Sequence, residues 1–392
     1  MGGLVGKAAV YRFFDTFVLI FPFYTVMFTE HGMSPAQIGV ALAAWSLTGV
    51  ALEIPTGALA DRLSRRWLLA IAQVFRGVGF LTWALWPDFW GFLAGFVLWG
   101  VKSALVSGTF EALIFDELKA QGRPQDYARA IGRAQTGRFV GFMAAALIAA
   151  AIAGIGNSAL TLISSASSLL GAASALLFPK APRAARAGRT DYLDVMRRGI
   201  VEAVRRPGVL PLLLFIALMQ SLLAACEDYW QIFARDMGLD RPRIALFVAA
   251  LGGAQAVAAA VAHRAPLART WSLPAWVAAG GLVLTAAAAV FQPTVSVPLA
   301  VIFTAMCIIA LVNADARFQH ALSGEARATV ASVKGFASQC AITLLILNFG
   351  LMAQASAYRT AFLAHGVALA LLGAAYAGWT LARPRGSRAL RL

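Results

Sequence analysis

Glu53-Ile54-Pro55-Thr56-Gly57-Ala58-Leu59-Ala60-Asp61-Arg62-Leu63-Ser64-Arg65-Arg66 is the stretch whose reading decides the fold. A long apolar run ends there in an acid, and three arginines follow. Basic side chains resist crossing a membrane and collect on its cytoplasmic side, so the stretch reads as the cytoplasmic elbow between two membrane helices. Gly57 would let two backbones approach closely, and Asp61 would sit where the helix leaves lipid.

The same alternation of apolar run and basic break continues in both directions. Of 392 residues, 60% are hydrophobic and 13% charged, and the mean hydropathy is +0.73, values that no water-soluble domain of this size tolerates on its surface. A helix needs ~20 mostly apolar residues to cross the hydrocarbon layer, and twelve runs of that kind recur. They are expected near residues 8–29, 38–60, 67–86, 91–114, 127–153 and 159–178, then near 209–233, 244–262, 273–291, 297–313, 328–352 and 358–381. The fold class is an all-α membrane protein with twelve transmembrane helices in two six-helix bundles. The bundles occupy 1–179 and 208–382, with a linker at 180–207 and a basic tail at 383–392.

Charge sets the topology. Glu30 to Gln37 holds no Lys or Arg and belongs outside, whereas Lys119, Arg123, Arg129 and Arg133 mark a cytoplasmic loop, and both termini are expected in the cytoplasm. Arg235, Arg241 and Arg243 break the pattern in an outer loop, where Asp236 and Asp240 stand close enough to offset them. In the linker, Thr190 or Asp191 can cap an amphipathic helix whose Leu193, Met196, Ile200 and Val204 share the face laid on the inner leaflet. Met1 to Lys7 runs into the first span without a cleavage-site pattern, so that span is expected to be its own insertion signal.

The net charge of +15 follows from these loops and from attraction to an anionic leaflet, not from nucleic-acid binding. Cys226, Cys307 and Cys340 lie in apolar runs without metal-ligand spacing and are expected to be reduced thiols. There is no His-Glu-x-x-His, no Gly-x-Ser-x-Gly and no phosphate-binding glycine loop, which argues against an enzyme and against ATP drive within the chain.

Gly57, Leu59, Ala60, Asp61, Arg62, Arg65, Arg66 and Leu69 resemble the signature loop between helices 2 and 3 of the major facilitator superfamily, with Ser64 replacing the second glycine of that pattern. Ser107 to Asp116 and Arg327 to Ser332 resemble a bacterial efflux-type branch of the same family. The resemblance implies two parallel six-helix repeats around a central cavity. It also implies a cytoplasmic gate built from Gly57, Asp61, Arg62, Arg65, Arg66 and Asp116. Asp116 would partner Arg65 or Arg62, and Asp61 would meet the positive N-terminal end of helix 11. The alternative is that the arginines only set topology. Gly132 to Gly141 departs from the drug-antiporter pattern in lacking proline, and Lys102 stands near where helix 4 usually carries an arginine. The second-half counterpart of the elbow, His263 to Trp271, lacks both the glycine and the acid and should latch more weakly.

Ionisable groups inside the spans form a short list, each costing at least ~2.5 kcal/mol unless it meets a partner or water. Glu53, Glu111 and Asp15 are the candidates for proton coupling. Asp15 is the least promising, because Arg12 lies three residues earlier on the same face. The alternative pairs Glu53 and Glu111 permanently with cations such as Arg76 or Arg138. Candidates for the wall of a substrate cavity are Tyr24, Arg76, Arg138, Gln220, Glu227, Asp228, Tyr229 and Gln231, because acids and aromatic faces suit a polar or cationic solute. Against this, Tyr229 and Trp230 could anchor helix 7 at the outer belt while Glu227 and Asp228 cap it. Pro22 is expected to kink helix 1, and Gly137-x-x-x-Gly141 reads as a close helix contact.

Together these point to a secondary transporter in the inner membrane that moves a small organic solute by alternating access. The proton gradient is its energy source, and no cofactor or metal is called for. The resemblance implies export by antiport; the alternatives are an uptake symporter and a receptor that keeps the fold without transport. The expected partners are a small-molecule substrate and the lipid bilayer, and the expected state is a monomer.

Overall fold

The computed structural model describes residues 3–60, 63–179, 192–205, 208–265, 267, 271–322 and 324–382, and among these no strand occurs. The chain divides into two compact units, Met1–Ala187 with Asp240–Gly252, and Gly188–Leu239 with Gly253–Leu392. Among the described residues, eleven helices are long and apolar enough to cross a membrane. The remaining crossing is broken in two, which brings the total to twelve.

In the first unit the opening crossing consists of α1 (Gly3–Thr16) and α2 (Tyr24–Glu30). The expectation of one helix kinked at Pro22 is therefore corrected: residues 17–23 leave the helix altogether. Pro22 has no N–H to give to the ladder, and backbone opened inside a membrane must find other partners. Two serines of α8 (Asn157–Leu176) supply them. Ser164 Oγ accepts from the Ile20 N–H at 3.0 Å, and Ser167 Oγ donates to the Phe17 carbonyl at 2.7 Å.

The chain continues through α3 (Pro35–Ala60), α4 (Arg65–Leu85), α5 (Phe89–Val106), α6 (Thr109–Ala120) and α7 (Tyr127–Ala151) before α8. Asp88 starts α5 by accepting from the Trp90 and Gly91 amides. Gly108, at φ +66°, separates α5 from α6, a conformation that only glycine adopts without strain.

The second unit begins with α9 (Tyr192–Arg205), in the region of the expected linker helix. Its Gly199 lies against Thr329 and Val333, while Ile200 and Val204 are exposed. The proposed caps Thr190 and Asp191 and the side chains of Leu193 and Met196 lie outside the described residues. Next come α10 (Val209–Glu227), α11 (Trp230–Asp236), α12 (Arg241–Val261), α13 (Ser272–Val290), α14 (Pro293–His320), α15 (Gly324–Ala355) and α16 (Tyr358–Ala382). Helix 7 thus breaks at Asp228–Tyr229, where a continuous run to Phe233 was expected. Helix 10 extends seven residues beyond its apolar stretch, which places Asp315 and Arg317 on regular helix.

The two units use the same helix pairs. In the first, α1 packs on α7, α4 on α8 and α4 on α5; in the second, α10 packs on α15, α13 on α16 and α13 on α14. Small residues make these approaches possible in lipid, where packing replaces the hydrophobic effect as the driving force. A Cβ on Gly281 would run into Ala370, and one on Gly373 into Ala278. Gly137 and Gly141, the expected close contact, lie against the backbone of Ala9 and Phe13 in α1.

Candidate functional site

The break in the first crossing positions the site. Because α1 stops at Thr16, its last carbonyls have no helical donors. Arg76, buried on α4, fills that role. One of its terminal nitrogens donates to the Asp15 carbonyl and the other to the Phe14 carbonyl at 3.2 Å, while Nε donates to Ser168 Oγ at 3.1 Å. A cation at a helix C-terminus is also where the dipole favours it.

The carboxylate of Asp15 lies beside this cap and is 7% exposed. Its Oδ1 accepts from Gln73 Nε2 at 2.7 Å and faces Lys102 Nζ at 2.8 Å and Arg76 Nη1 at 3.4 Å. Its Oδ2 faces Arg12 at 3.4 Å. Gln73 also accepts from Arg76 at 2.6 Å and donates to Tyr11 Oη at 3.3 Å. Arg12 makes its shorter contact with Glu111, 2.7 Å away, and lies 4.0 Å over the Phe110 ring. Four helices therefore meet on two carboxylates: α1, α4, α5 and α6.

The three coupling candidates stand in different surroundings. Asp15 was expected to be neutralised locally by Arg12, yet its closest cation is Lys102 of α5. Glu53 is exposed on α3. Glu111 is 44% exposed and pairs with Arg12, not with Arg76 or Arg138. Arg138 is exposed on α7 and contributes its carbonyl to the site's surroundings, accepting from Thr16 Oγ1 at 2.6 Å.

At the elbow, Arg65 forms an ion pair with Asp116 and donates to the Ala112 carbonyl at 3.2 Å. Arg66 reaches the Phe178 carbonyl at 3.4 Å. Asp61, Arg62 and the surroundings of Gly57 lie outside the described residues. The second unit holds its corresponding ends differently: Asp315 pairs with Lys334 of α15, and Arg317 donates to the Leu267 carbonyl.

The helix 7 candidates lie in the second unit. Tyr229 is buried and stacked on Phe349 at 4.3 Å, and Trp230 packs on Phe362 at 4.7 Å, which makes both core residues and not belt anchors. Gln231 is buried, Gln220 and Asp228 are half-buried, and Glu227 is exposed and accepts from Gln255 at 2.8 Å. Tyr24 is buried among Phe28, Trp83 and Phe96. Of the outer-loop arginines, Arg235 pairs with Asp236 and Arg243 with Asp240, whereas Arg241 turns to Glu30 at 3.3 Å. Among the described residues, no three His, Cys, Asp or Glu side chains gather to hold a metal.

The sequence profile described as Major Facilitator Superfamily matches residues 8–316. The chain belongs to that superfamily. Among curated members, it is 28% identical over 124 residues to the inner membrane transport protein YajR of Escherichia coli (strain K12), a match that takes in 32% of this chain and 27% of the relative. It is 30% identical over 108 residues to the multidrug resistance protein MdtH of Cronobacter sakazakii (strain ATCC BAA-894), covering 27% of each. The chain thus spans about a quarter of the length of these relatives. Two solved superfamily folds superpose over nearly all of it. The nucleoside transporter NupG does so at TM-score 0.79 and 12% identity, covering 97% of this chain and 100% of that one. A bacterial homologue of the lysosomal transporter Spinster does so at TM-score 0.78 and 18% identity, covering 99% and 97%. These likenesses establish the superfamily fold.

Proposed function

We propose that the chain is a secondary transporter of the inner membrane, moving a small organic solute by alternating access with the proton gradient as its energy source. The observation that carries this reading is the Asp15 cluster. An ionisable group held inside a membrane marks an ion or substrate pathway, and here a carboxylate shares its oxygens with groups from three crossings at a break in the first helix. Discontinuous helices at membrane depth are where such transporters bind solute and coupling ion. Asp15 is the proton carrier, alternating between its cation partners and a proton. The Arg65–Asp116 pair holds the cytoplasmic elbow shut and opens once per cycle.

Export by antiport draws support from the partial likeness to a multidrug resistance protein. Uptake by symport is the second reading, and the charge balance of the cluster favours it. Three cations face two carboxylates there, an excess that suits a solute anion, and an anion that enters with a proton carries no net charge across. Reconstitution into liposomes with an imposed pH gradient separates the two. Solute moving against the proton flux means antiport, and solute moving with it means symport. Solute that ignores the gradient while Asp15→Asn behaves like wild type would overturn proton coupling.

A further inference from the structure

We infer that the transported solute is an organic anion, a carboxylate or phosphate ester, bound by Lys102 with help from Arg12, and that Asp15 occupies the place of its acidic group when the site is empty. The inference rests on the transporter reading and names the substrate class for the same site.

The three cations are not equivalent. Arg76 is 2% exposed, and each of its nitrogens is committed to backbone or side-chain acceptors of α1, α4 and α8. It is part of the fold. Arg12 divides itself between Asp15 and Glu111. Lys102 differs from both: among the described residues its one partner is Asp15, and its side chain remains 12% exposed. An ammonium is a compact point charge on a flexible stem, so it can leave one carboxylate for another without dismantling a forked pair.

Asp15 would not be stranded by that exchange. It keeps Gln73 at 2.7 Å and Arg76 at 3.4 Å. The positive excess of the cluster, by contrast, is a standing cost, because buried charge is tolerated only when it is compensated. An incoming anionic group removes that excess. A cationic solute would add to it, and the neighbouring acid Glu111 is already held by Arg12.

The test measures binding separately from flux. Thermal stabilisation of the full chain in detergent is recorded with benzoate and phenyl phosphate, and with their isosteres benzylamine and benzyl alcohol. Benzoate or phenyl phosphate should stabilise the wild type at millimolar concentration, and the amine and alcohol should not. Asp15→Asn removes the internal competitor and should tighten anion binding about tenfold, as expected when one nearby negative charge is lost. Lys102→Gln should abolish the stabilisation, and Lys102→Arg should retain it. The double variant Asp15→Asn/Lys102→Gln controls for misfolding, since it removes both charges of the pair together. Equal shifts from all four probes, or anion binding weakened by Asp15→Asn, would overturn the inference. Anion binding without flux in liposomes would sink the transport reading and leave the anion site standing.

Discussion

Lys102 Nζ lies 2.8 Å from Asp15 Oδ1, tying α5 to the broken end of α1, while Arg76 reaches the same oxygen at 3.4 Å and spends its other donors on the Phe14 and Asp15 carbonyls, Ser168 and Gln73. One cation is thus exchangeable and the other structural, and they should respond differently to removal. Arg76→Met leaves the end of α1 uncapped and should destabilise by about 3–5 kcal/mol, the range for breaking a buried pair. Lys102→Met should cost less than half of that, yet lose transport. Thermal midpoints in detergent and flux in liposomes, measured on the same preparations, check the split. Equal losses of stability would remove the distinction.

The ion pair between Arg65 and Asp116 joins the start of α4 to α6 at the elbow. If it acts as a gate, Asp116→Asn should lower transport about tenfold, equivalent to ~1.4 kcal/mol, at unchanged surface expression. The exchange Arg65→Asp with Asp116→Arg should recover part of the loss, because the attraction survives the swap. Full activity of Asp116→Asn would reduce Arg65 to a topology determinant.

The class of fold was legible because the bilayer imposes it: helix length, basic loops and an elbow of glycine, acid and arginines are direct records of lipid thickness and leaflet charge. The Arg65–Asp116 contact was legible too, since both residues lie at one membrane face. The site was less so. Asp15 looked neutralised by Arg12 because residues three apart on a helix are neighbours, but Arg12 makes its shorter contact 99 positions away, with Glu111. The partners Lys102 and Gln73 come from other helices, and no spacing within one helix reveals them. The sequence does carry one signal of the break: Ser164, Ser165, Ser167 and Ser168 crowd one apolar span. Hydroxyls gathered in lipid mark a neighbour whose backbone needs partners.

Those serines give a prediction for the broken helix. Ser164→Ala leaves the Ile20 N–H buried without its acceptor and should cost about 1–3 kcal/mol. Ser167→Ala frees the Phe17 carbonyl with a similar or smaller effect. Ser174 bonds within its own helix, to the Gly171 carbonyl, so Ser174→Ala should be nearly neutral and serves as the control. Hydrogen exchange at the Ile20 amide reads the effect locally, and exchange unchanged by Ser164→Ala would show that residues 17–23 hold their shape without α8.

The crossing of α1 and α7 sets where Asp15 stands, and its closeness depends on glycine. A Cβ on Gly137 would run into the Ala9 backbone, whereas one on Gly132, a turn and a half earlier on the same helix, meets nothing within 4 Å. Gly132→Ala should therefore be neutral or stabilise by up to about 1 kcal/mol, through helix propensity alone. Gly137→Ala must push α1 away and should cost about 1–3 kcal/mol, as overpacking does. Because α1 carries both Arg12 and Asp15, the displacement should also loosen the cluster, so that Gly137→Ala loses transport out of proportion to its loss of folded protein. Flux per folded molecule, measured for the two variants side by side, decides it. Equal flux would mean that the cluster is held by α4 and α5 and owes nothing to the α7 contact.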